Sequence, residues 1–320
     1  MSNIKFSVLI PAYKKKYLSE CIESIMCQSY SNFEAVIVND ASPEDLDSIV
    51  SSITDERIKY YKNECNCGAI NVVDNWNKCL EHAKGDYVIC IGDDDKLLPN
   101  CLEEYVKLIK TYPNLGVYHA WTEIINEKSE VFQIQEPRPE IESVYSMIWG
   151  RMHGRKQYIG DFLFKTDRLK AIGGFYKLPL AWGSDDITAF LAAEKYGIAN
   201  SQIPLFQYRD SAITLSSSSN NAEHKFDGIK KYKMWMDVFL EQRPNNQHDK
   251  VLYDDIIRCR SFFYEDQFSS IICQDLAYNS LLRWNYWKSR GAEFELNRHF
   301  RYKIIKETIL LKIRKILSKS

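Results

Sequence analysis

The strongest constraint in this sequence is the alternation of two hydrophobic periods between Phe6 and Thr111. Phe6–Ile10 is an unbroken apolar run closed by Pro11, the pattern of a strand buried on both faces. Leu18, Cys21, Ile22, Ile25 and Met26 then recur at three- and four-residue spacing, which predicts an amphipathic helix. Ala35–Val38 predicts a second buried strand. It runs into Asn39-Asp40-Ala41-Ser42-Pro43, where Ser42 is suited to cap a helix that has Pro43 at its first position. Ile58–Tyr61 predicts a third strand, and Ile70–Ala83 a helix ending at Gly85. Tyr87–Ile91 predicts a fourth strand, delivering the chain to Gly92-Asp93-Asp94-Asp95. Pro99 then opens a helix lasting to Thr111, short of Pro113. Strands and helices in strict alternation predict an α/β fold with a mostly parallel sheet and helices on its faces.

After Gly116 the rhythm changes. Val117–Ile125 and Tyr158–Phe164 read as strands separated by the polar stretch Gln135–Glu142, and Ile187–Tyr196 reads as a helix. Ser216–Asn221 is the clearest linker, and the aromatic-rich remainder has helical rather than strand spacing. We therefore expect a catalytic domain over 1–220, with halves at about 1–115 and 116–220, and a helical extension over 221–320. Basic and acidic residues number 42 and 43, a net charge of −1, so no nucleic-acid surface organises the chain. The N-terminal apolar run is too short for a signal peptide, and no stretch approaches the roughly 20 apolar residues of a membrane span. Nine scattered cysteines and six histidines without ligand spacing argue against a disulfide framework and a zinc site. These features predict a cytoplasmic protein.

In an open α/β sheet, ligands bind beyond the carboxyl ends of the strands. Three predicted strand ends carry chemically loaded residues: Pro11-Ala12-Tyr13, Asn39-Asp40 and Asp93-Asp94-Asp95. Neither common glycine cradle for phosphates is present, so a diphosphate bound here needs a cation. Asp93, Asp94 and Asp95 offer hard oxygen ligands to Mg²⁺ or Mn²⁺, although a solvated turn is the plain alternative. Tyr13 offers a face to a base, and Asp40 a hydrogen-bond acceptor for its edge. Packing explains Tyr13 equally well. Lys14–Lys16 could meet phosphates, although a solvated loop is the plainer reading.

Those same residues resemble the glycosyltransferase family 2 sequences that build bacterial surface polysaccharides. FSVLIPAYKKKYLSECIESIMCQSY is similar to the family's opening strand, Pro-x-Tyr and helix; FEAVIVNDAS to its second strand and acidic turn. HAKGDYVICIGDDDKLLP resembles its Ala-x-Gly-(Asp/Glu)-Tyr strand and DxD-type motif, and AIGGFYKLPLAWGSDDITAFLAAEKYG its Gly-Gly-Phe acceptor loop. The likeness covers about residues 4–215 and implies a GT-A fold, a nucleoside-diphosphate sugar donor, a divalent cation and inversion at the anomeric carbon. By that resemblance Pro11, Ala12, Tyr13 and Asp40 meet the nucleoside, Asp93 and Asp94 meet the ribose and the metal, Asp95 stands behind them or serves as an alternative metal ligand, and Arg209 lies near the diphosphate. Gly173, Gly174 and Trp182 then belong to the acceptor side. Asp185 is the expected general base, with Asp186 in reserve; both also suit a helix N-terminus as caps.

The sequence departs from the family pattern at Lys14, where Asn is common, at Asn39 and at Gly92. It has no Gln-x-x-Arg-Trp, which points to transfer of one sugar rather than processive synthesis. The expected reaction moves a sugar, from UDP, to a hydroxyl of a glycan or lipid-linked acceptor. A sugar-phosphate nucleotidyltransferase and a catalytically silent nucleotide-sugar binder are the other readings. The tail Arg298–Ser320 carries a net +7 interleaved with Ile and Leu. It suits either an anionic membrane at the inner face of the plasma membrane or a capping helix.

Overall fold

Strand β1 (Phe6–Ala12) is buried along nearly its whole length, as its unbroken apolar run requires. In the computed structural model, which describes residues 4–211, 221–279, 281–294 and 298–317, β1 sits inside a ten-stranded sheet. Helix α1 (Leu18–Met26) buries Leu18, Cys21, Ile22 and Ile25, four of the five residues whose spacing predicts it. Strand β2 (Phe33–Asn39) is followed by a short helix α2 (Asp47–Ser51), then β3 (Ile58–Lys62), α3 (Val72–His82) and β4 (Tyr87–Cys90). Next come the two-residue strand β5 (Lys96–Leu97), α4 (Cys101–Thr111), β6 (Val117–Ile125), β7 (Val131–Ile134) and β8 (Ile141–Glu142). Helix α5 (Val144–Met152), β9 (Phe162–Lys165), α6 (Thr166–Ala171), α7 (Ser184–Ala193) and β10 (Ile198–Arg209) complete this part.

The strand order is β3-β2-β1-β4-β9-β6-β10-β5, with β7 beside β6 and β8 beside β10. β3, β2, β1 and β4 are parallel, but β9 runs antiparallel to both β4 and β6. The sheet is therefore mixed: the expected parallel pairing holds over β3-β2-β1-β4 and between β6 and β10, while β9 and the short strands β5, β7 and β8 run antiparallel to their neighbours. Chain order runs outward from β1 to β2 and β3, then returns to β4 on the other side of β1. The gap between β1 and β4 is thus the topological switch point, where an open sheet leaves a crevice.

Two local expectations are corrected. No helix starts at Ser42-Pro43. Ser42 Oγ instead donates to Tyr13 O at 2.6 Å, Ala41 takes a left-handed φ of 48°, and Asp45 Oδ1 accepts from Ser48 N–H at the start of α2. The strand expected at Tyr158 begins at Phe162, because residues 159–161 form a 3₁₀ turn.

The chain folds into two compact units, Met1–Ser211 and Ala212–Ser320. The second unit contains α8 (Ala222–Phe239), α9 (Gln247–Tyr278), α10 (Trp284–Ser289) and α11 (Arg298–Leu317). Among its described residues there is no strand. Phe226, Phe268, Trp287 and Phe294 form an aromatic cluster, and the buried Asp275 accepts from Trp287 Nε1–H at 2.7 Å. Asn246 caps α9 by accepting from Asp249 N–H at 2.8 Å. The expected linker lies outside the described residues except for Asn221, as do the last three residues of the basic tail. Among the described residues, no helix is long and apolar enough to cross a membrane.

Candidate functional site

The switch point is closed by one carboxylate. Asp93, just past the end of β4, accepts from the backbone N–H of Tyr13 at 2.7 Å and of Lys14 at 2.6 Å through Oδ2. It thereby ties the exit of β4 to the exit of β1. On the other side of β1, Asp40 N–H donates to Ala12 O at 2.9 Å, and Ser42 holds Tyr13 O. The three strand ends predicted from sequence are therefore joined around Ala12–Lys14. Pro11 is half-buried, Ala12 is buried, and Tyr13 is 42% exposed.

Asp40 is itself buried. It accepts from Asn63 Nδ2–H at 2.7 Å and from the Cys67 N–H at 3.0 Å, anchoring the loop after β3. Asn39, where the family pattern has an acid, uses its amide on two neighbours: Nδ2–H donates to Tyr60 Oη at 2.8 Å and Oδ1 accepts from Ser42 N–H at 2.9 Å.

The three consecutive acids do not act alike. Asp93 is committed to the β1 exit, and Asp95 Oδ1 accepts from the Arg209 N–H at 2.9 Å. Both are buried, whereas Asp94 between them keeps partial access to solvent. Burial, and next the Asp94 charge, push the Asp93 carboxyl up to about 6; burial also raises Asp94 and Asp95. A Cβ at Gly92 would come within 2.8 Å of Asp94 Oδ1 and 2.9 Å of Asp95 Oδ2. The missing side chain is what lets those two carboxylates turn back onto the strand end. Among the described residues, no group of three or more His, Cys, Asp or Glu is arranged to hold a metal ion. Backbone amides take one oxygen of Asp93 and one of Asp95, which leaves Asp94 the most open of the expected set Asp93, Asp94 and Asp95. What remains fits an ion shared between Asp94 and a bound diphosphate, a common arrangement for Mg²⁺.

Arg209 is also placed differently from the expectation. Its guanidinium is fully buried over the Tyr17 ring at 4.0 Å. It donates to Asp94 O at 2.8 Å, Asn126 O at 3.1 Å, Ser129 Oγ at 3.0 Å and Glu20 Oε2 at 2.9 Å. With four donor contacts inside the protein, it holds the acidic turn in position rather than facing a diphosphate.

The second candidate cluster lies at the start of α7. Gly173 and Gly174 have φ of 90° and 85°, and a Cβ on Gly174 would meet Asn77 Oδ1 at 2.4 Å. That amide brackets Phe175, accepting from its N–H at 2.8 Å and donating to its O at 3.1 Å. At Gly174 the backbone thus packs closely against α3. Further along, Leu180, Ala181 and Gly183 all have positive φ, a concentration of backbone strain immediately before α7. Ser184 Oγ accepts from Leu178 N–H at 3.1 Å and Thr188 Oγ1 from Tyr176 N–H at 2.9 Å, pinning the strained loop to the helix. Trp182 is half-buried within it.

Asp185 and Asp186 sit side by side in different environments. Asp186 is buried, with Oδ2 accepting from Arg151 Nε–H at 2.7 Å and Oδ1 from Gln157 Nε2–H at 2.6 Å. Asp185 accepts from the Asp186 N–H at 2.9 Å and retains partial exposure. Burial, and next the Asp186 charge, hold its proton affinity well above the ordinary carboxylate range. A carboxylate that is accessible, ionisable and eager for a proton is suited to general-base work.

An α/β domain whose acidic strand ends meet at the switch point of a mixed sheet is the GT-A architecture. Residues 7–168, about half of the chain, match the family described as Glycosyl transferase family 2, and the chain belongs to that family. It is 35% identical over 108 residues to the Escherichia coli putative colanic acid biosynthesis glycosyl transferase WcaA, covering 33% of this chain and 38% of that protein. It is 32% identical over 127 residues to a Campylobacter jejuni protein named GalNAc(5)-diNAcBac-PP-undecaprenol beta-1,3-glucosyltransferase, covering 39% of each. The chain spans at most about half the length of the first curated relatives it matches. The fold is shared with Staphylococcus aureus TarS 1–349 in complex with UDP-GlcNAc, at TM-score 0.64 and 15% identity over 98% of this chain and 92% of that one. It is also shared with a Pyrobaculum calidifontis mannosyltransferase in complex with GDP-Man and Mn²⁺, at TM-score 0.51 and 16% identity over 98% and 88% of the two chains.

Sequence reasoning missed the residues that hold the acids. Arg151 and Gln157 carry no motif, and nothing in the spacing pairs them with Asp186. Lys14, for which the sequence offers either a phosphate contact or a solvated loop, has its ammonium 4.0 Å from Asp94 Oδ2.

Proposed function

We propose that this chain is an inverting glycosyltransferase that moves one sugar from a nucleoside-diphosphate sugar, a UDP-sugar, to a hydroxyl of a glycan or lipid-linked acceptor in surface-polysaccharide biosynthesis. The observation that carries the reading is the Asp93 carboxylate bridging the β4 and β1 exits, with the accessible Asp94 beside it at the switch point. Family membership supports the reaction class. The UDP-GlcNAc and GDP-Man bound by the two structural neighbours support the donor class.

Tyr13 and Asp40 are assigned to the nucleoside side, Tyr13 by its exposed ring and Asp40 by its place at the β2 exit. A divalent cation, Mn²⁺ or Mg²⁺, would be held by Asp94 and the diphosphate, and supplies charge stabilisation to the departing group. Asp185 takes the proton of the acceptor hydroxyl as that oxygen bonds to the anomeric carbon. The bond from that carbon to the diphosphate oxygen breaks, and the nucleoside diphosphate leaves with the electron pair. Asp186, clamped by Arg151 and Gln157, fixes the first turn of α7 and so positions Asp185.

A lipid-linked acceptor draws support from α11. Its Ile304 and Thr308 are buried, while Tyr302, Ile305, Ile309 and Ile313 are exposed among Arg301, Lys306 and Lys312. An aliphatic stripe flanked by cations suits an anionic bilayer surface. Co-sedimentation with phosphatidylglycerol vesicles, lost in Ile309→Glu and absent with phosphatidylcholine alone, tests this contact.

The reaction is tested with a panel of UDP- and GDP-sugars and Mn²⁺, following release of the nucleoside diphosphate. Release that stops on chelation or in Asp94→Ala supports the transferase. Pyrophosphate release from a nucleoside triphosphate would instead identify a nucleotidyltransferase, and donor binding without turnover in the presence of acceptor a silent binder.

A further inference from the structure

We propose that the Lys14 ammonium carries negative charge of the donor diphosphate beside Asp94, so that nucleotide binding has a protein cation of its own in addition to any divalent ion. This rests on the donor reading above and adds to it a residue outside the family pattern.

Three observations converge on Lys14. Its backbone is fixed, because its N–H donates to Asp93 Oδ2 at 2.6 Å across the switch point. Its side chain, 27% exposed, reaches the least buried acid of the strand-end cluster, with Nζ 4.0 Å from Asp94 Oδ2. That separation exceeds a direct hydrogen bond, so the pair is held by charge.

The other cations near this turn have partners other than Asp94 Oδ2. Arg209, the cation expected from sequence to meet the diphosphate, is buried in contacts to Glu20, Ser129 and two carbonyls. Lys16 pairs with Glu127 at 2.9 Å, and Lys96 lies 4.0 Å from Glu20.

The electrostatics explain why a cation belongs there. Asp40, Asp93, Asp94 and Asp95 gather at adjacent strand ends, and a diphosphate adds more negative charge. The β1 exit Pro11-Ala12-Tyr13 contains no glycine to form a backbone cradle for phosphate. Asn, common at the position of Lys14 in the family, offers amide hydrogens without net charge. Lysine instead supplies a compact charge on a flexible stem, the usual side-chain point charge for phosphate.

The distinguishing consequence is in metal dependence. If Lys14 shares the charge, the divalent ion and the ammonium partly substitute for each other. Calorimetric titration of UDP and of uridine into the full chain, in EDTA and in Mn²⁺, tests this with wild type, Lys14→Met and Lys14→Arg. In EDTA, Lys14→Met is expected to bind UDP at least about 10-fold more weakly than wild type, with uridine affinity within about 2-fold, and Lys14→Arg to recover most of the loss. In Mn²⁺ the penalty is expected to shrink to about 3-fold. Equal UDP affinity of wild type and Lys14→Met in EDTA would overturn the proposal, as would an equal loss for uridine, which carries no phosphate. Failure of wild type to bind UDP, GDP or uridine under either condition would instead remove the donor reading, and this proposal with it.

Discussion

The two acidic clusters of the first unit are built by opposite means. At the strand ends, the buried acids are held by main-chain donors: Asp93 by the amides of Tyr13 and Lys14, Asp95 by that of Arg209, and Asp40 partly by that of Cys67. At the start of α7, Asp186 is held by side chains, Arg151 and Gln157, and the loop ahead of it is pinned by Ser184 and Thr188 hydroxyls. In both clusters the engaged acids leave one accessible, Asp94 in the first and Asp185 in the second. A main-chain donor survives substitution of its own side chain. Lys14 can therefore stand where the family commonly has Asn without removing the amide that holds Asp93. At α7 a main-chain donor serves only Asp185, and Asp186 depends on the side chains of Arg151 and Gln157.

The sharpest way to separate the clusters is Asp185→Asn. Turnover should fall about 10²-fold or more while UDP affinity stays at the wild-type value, read from initial rates and titration. Because burial and Asp186 raise the Asp185 pKa, its ionised form costs the folded state, and the variant should melt at a higher temperature. The sign follows from linkage. A carboxyl whose folded pKa is raised contributes stability below its unfolded pKa and loses it as pH rises through the folded value, so the melting advantage of Asn should grow from pH 5 to pH 8. For the same reason wild-type kcat/KM should decline on the acid side at a pH above the ordinary Asp range, as the base becomes protonated.

Arg151→Met breaks the side-chain clamp and leaves a buried carboxylate with one partner fewer. We expect a loss of about 2 kcal/mol in denaturant-measured stability, accompanied by lower turnover. Unchanged stability would mean that Asp186 does not depend on the clamp.

The smallest effect is expected at the strand ends. Asn63→Ala removes one donor to Asp40 but leaves the Cys67 amide, so it should cost about 1 kcal/mol and only a few-fold in UDP affinity. A loss as large as that of Arg151→Met would erase the distinction between the clusters.

How far each feature was legible follows the same division. Parallel strands begin and end at common edges, so locating the ends of β1, β2 and β4 in the sequence was enough to bring Tyr13, Asp40 and Asp93 together. The strand β10 was not legible. It carries Asn200, Ser201, Gln202 and Pro204, and its pairing with β6 shifts register twice between Asn200 and Phe206. Its buried Asn200 donates to Pro139 O and Glu142 Oε1, partners that no local pattern reveals. Nor does a sequence show which acid of a run is already hydrogen-bonded. Asp93, Asp94 and Asp95 are alike as letters and differ only through partners about 80 residues or more away in the chain.

The central claim is that Asp94, at the switch point between β1 and β4, serves the donor while Asp185 serves the acceptor. Titrating UDP into wild type, Asp94→Asn and Asp185→Asn with Mn²⁺ present tests it directly. Asp94→Asn should bind at least about 10-fold more weakly and lose its response to Mn²⁺, with Asp185→Asn indistinguishable from wild type. The reverse pattern, with UDP binding lost in Asp185→Asn and intact in Asp94→Asn, would contradict the account.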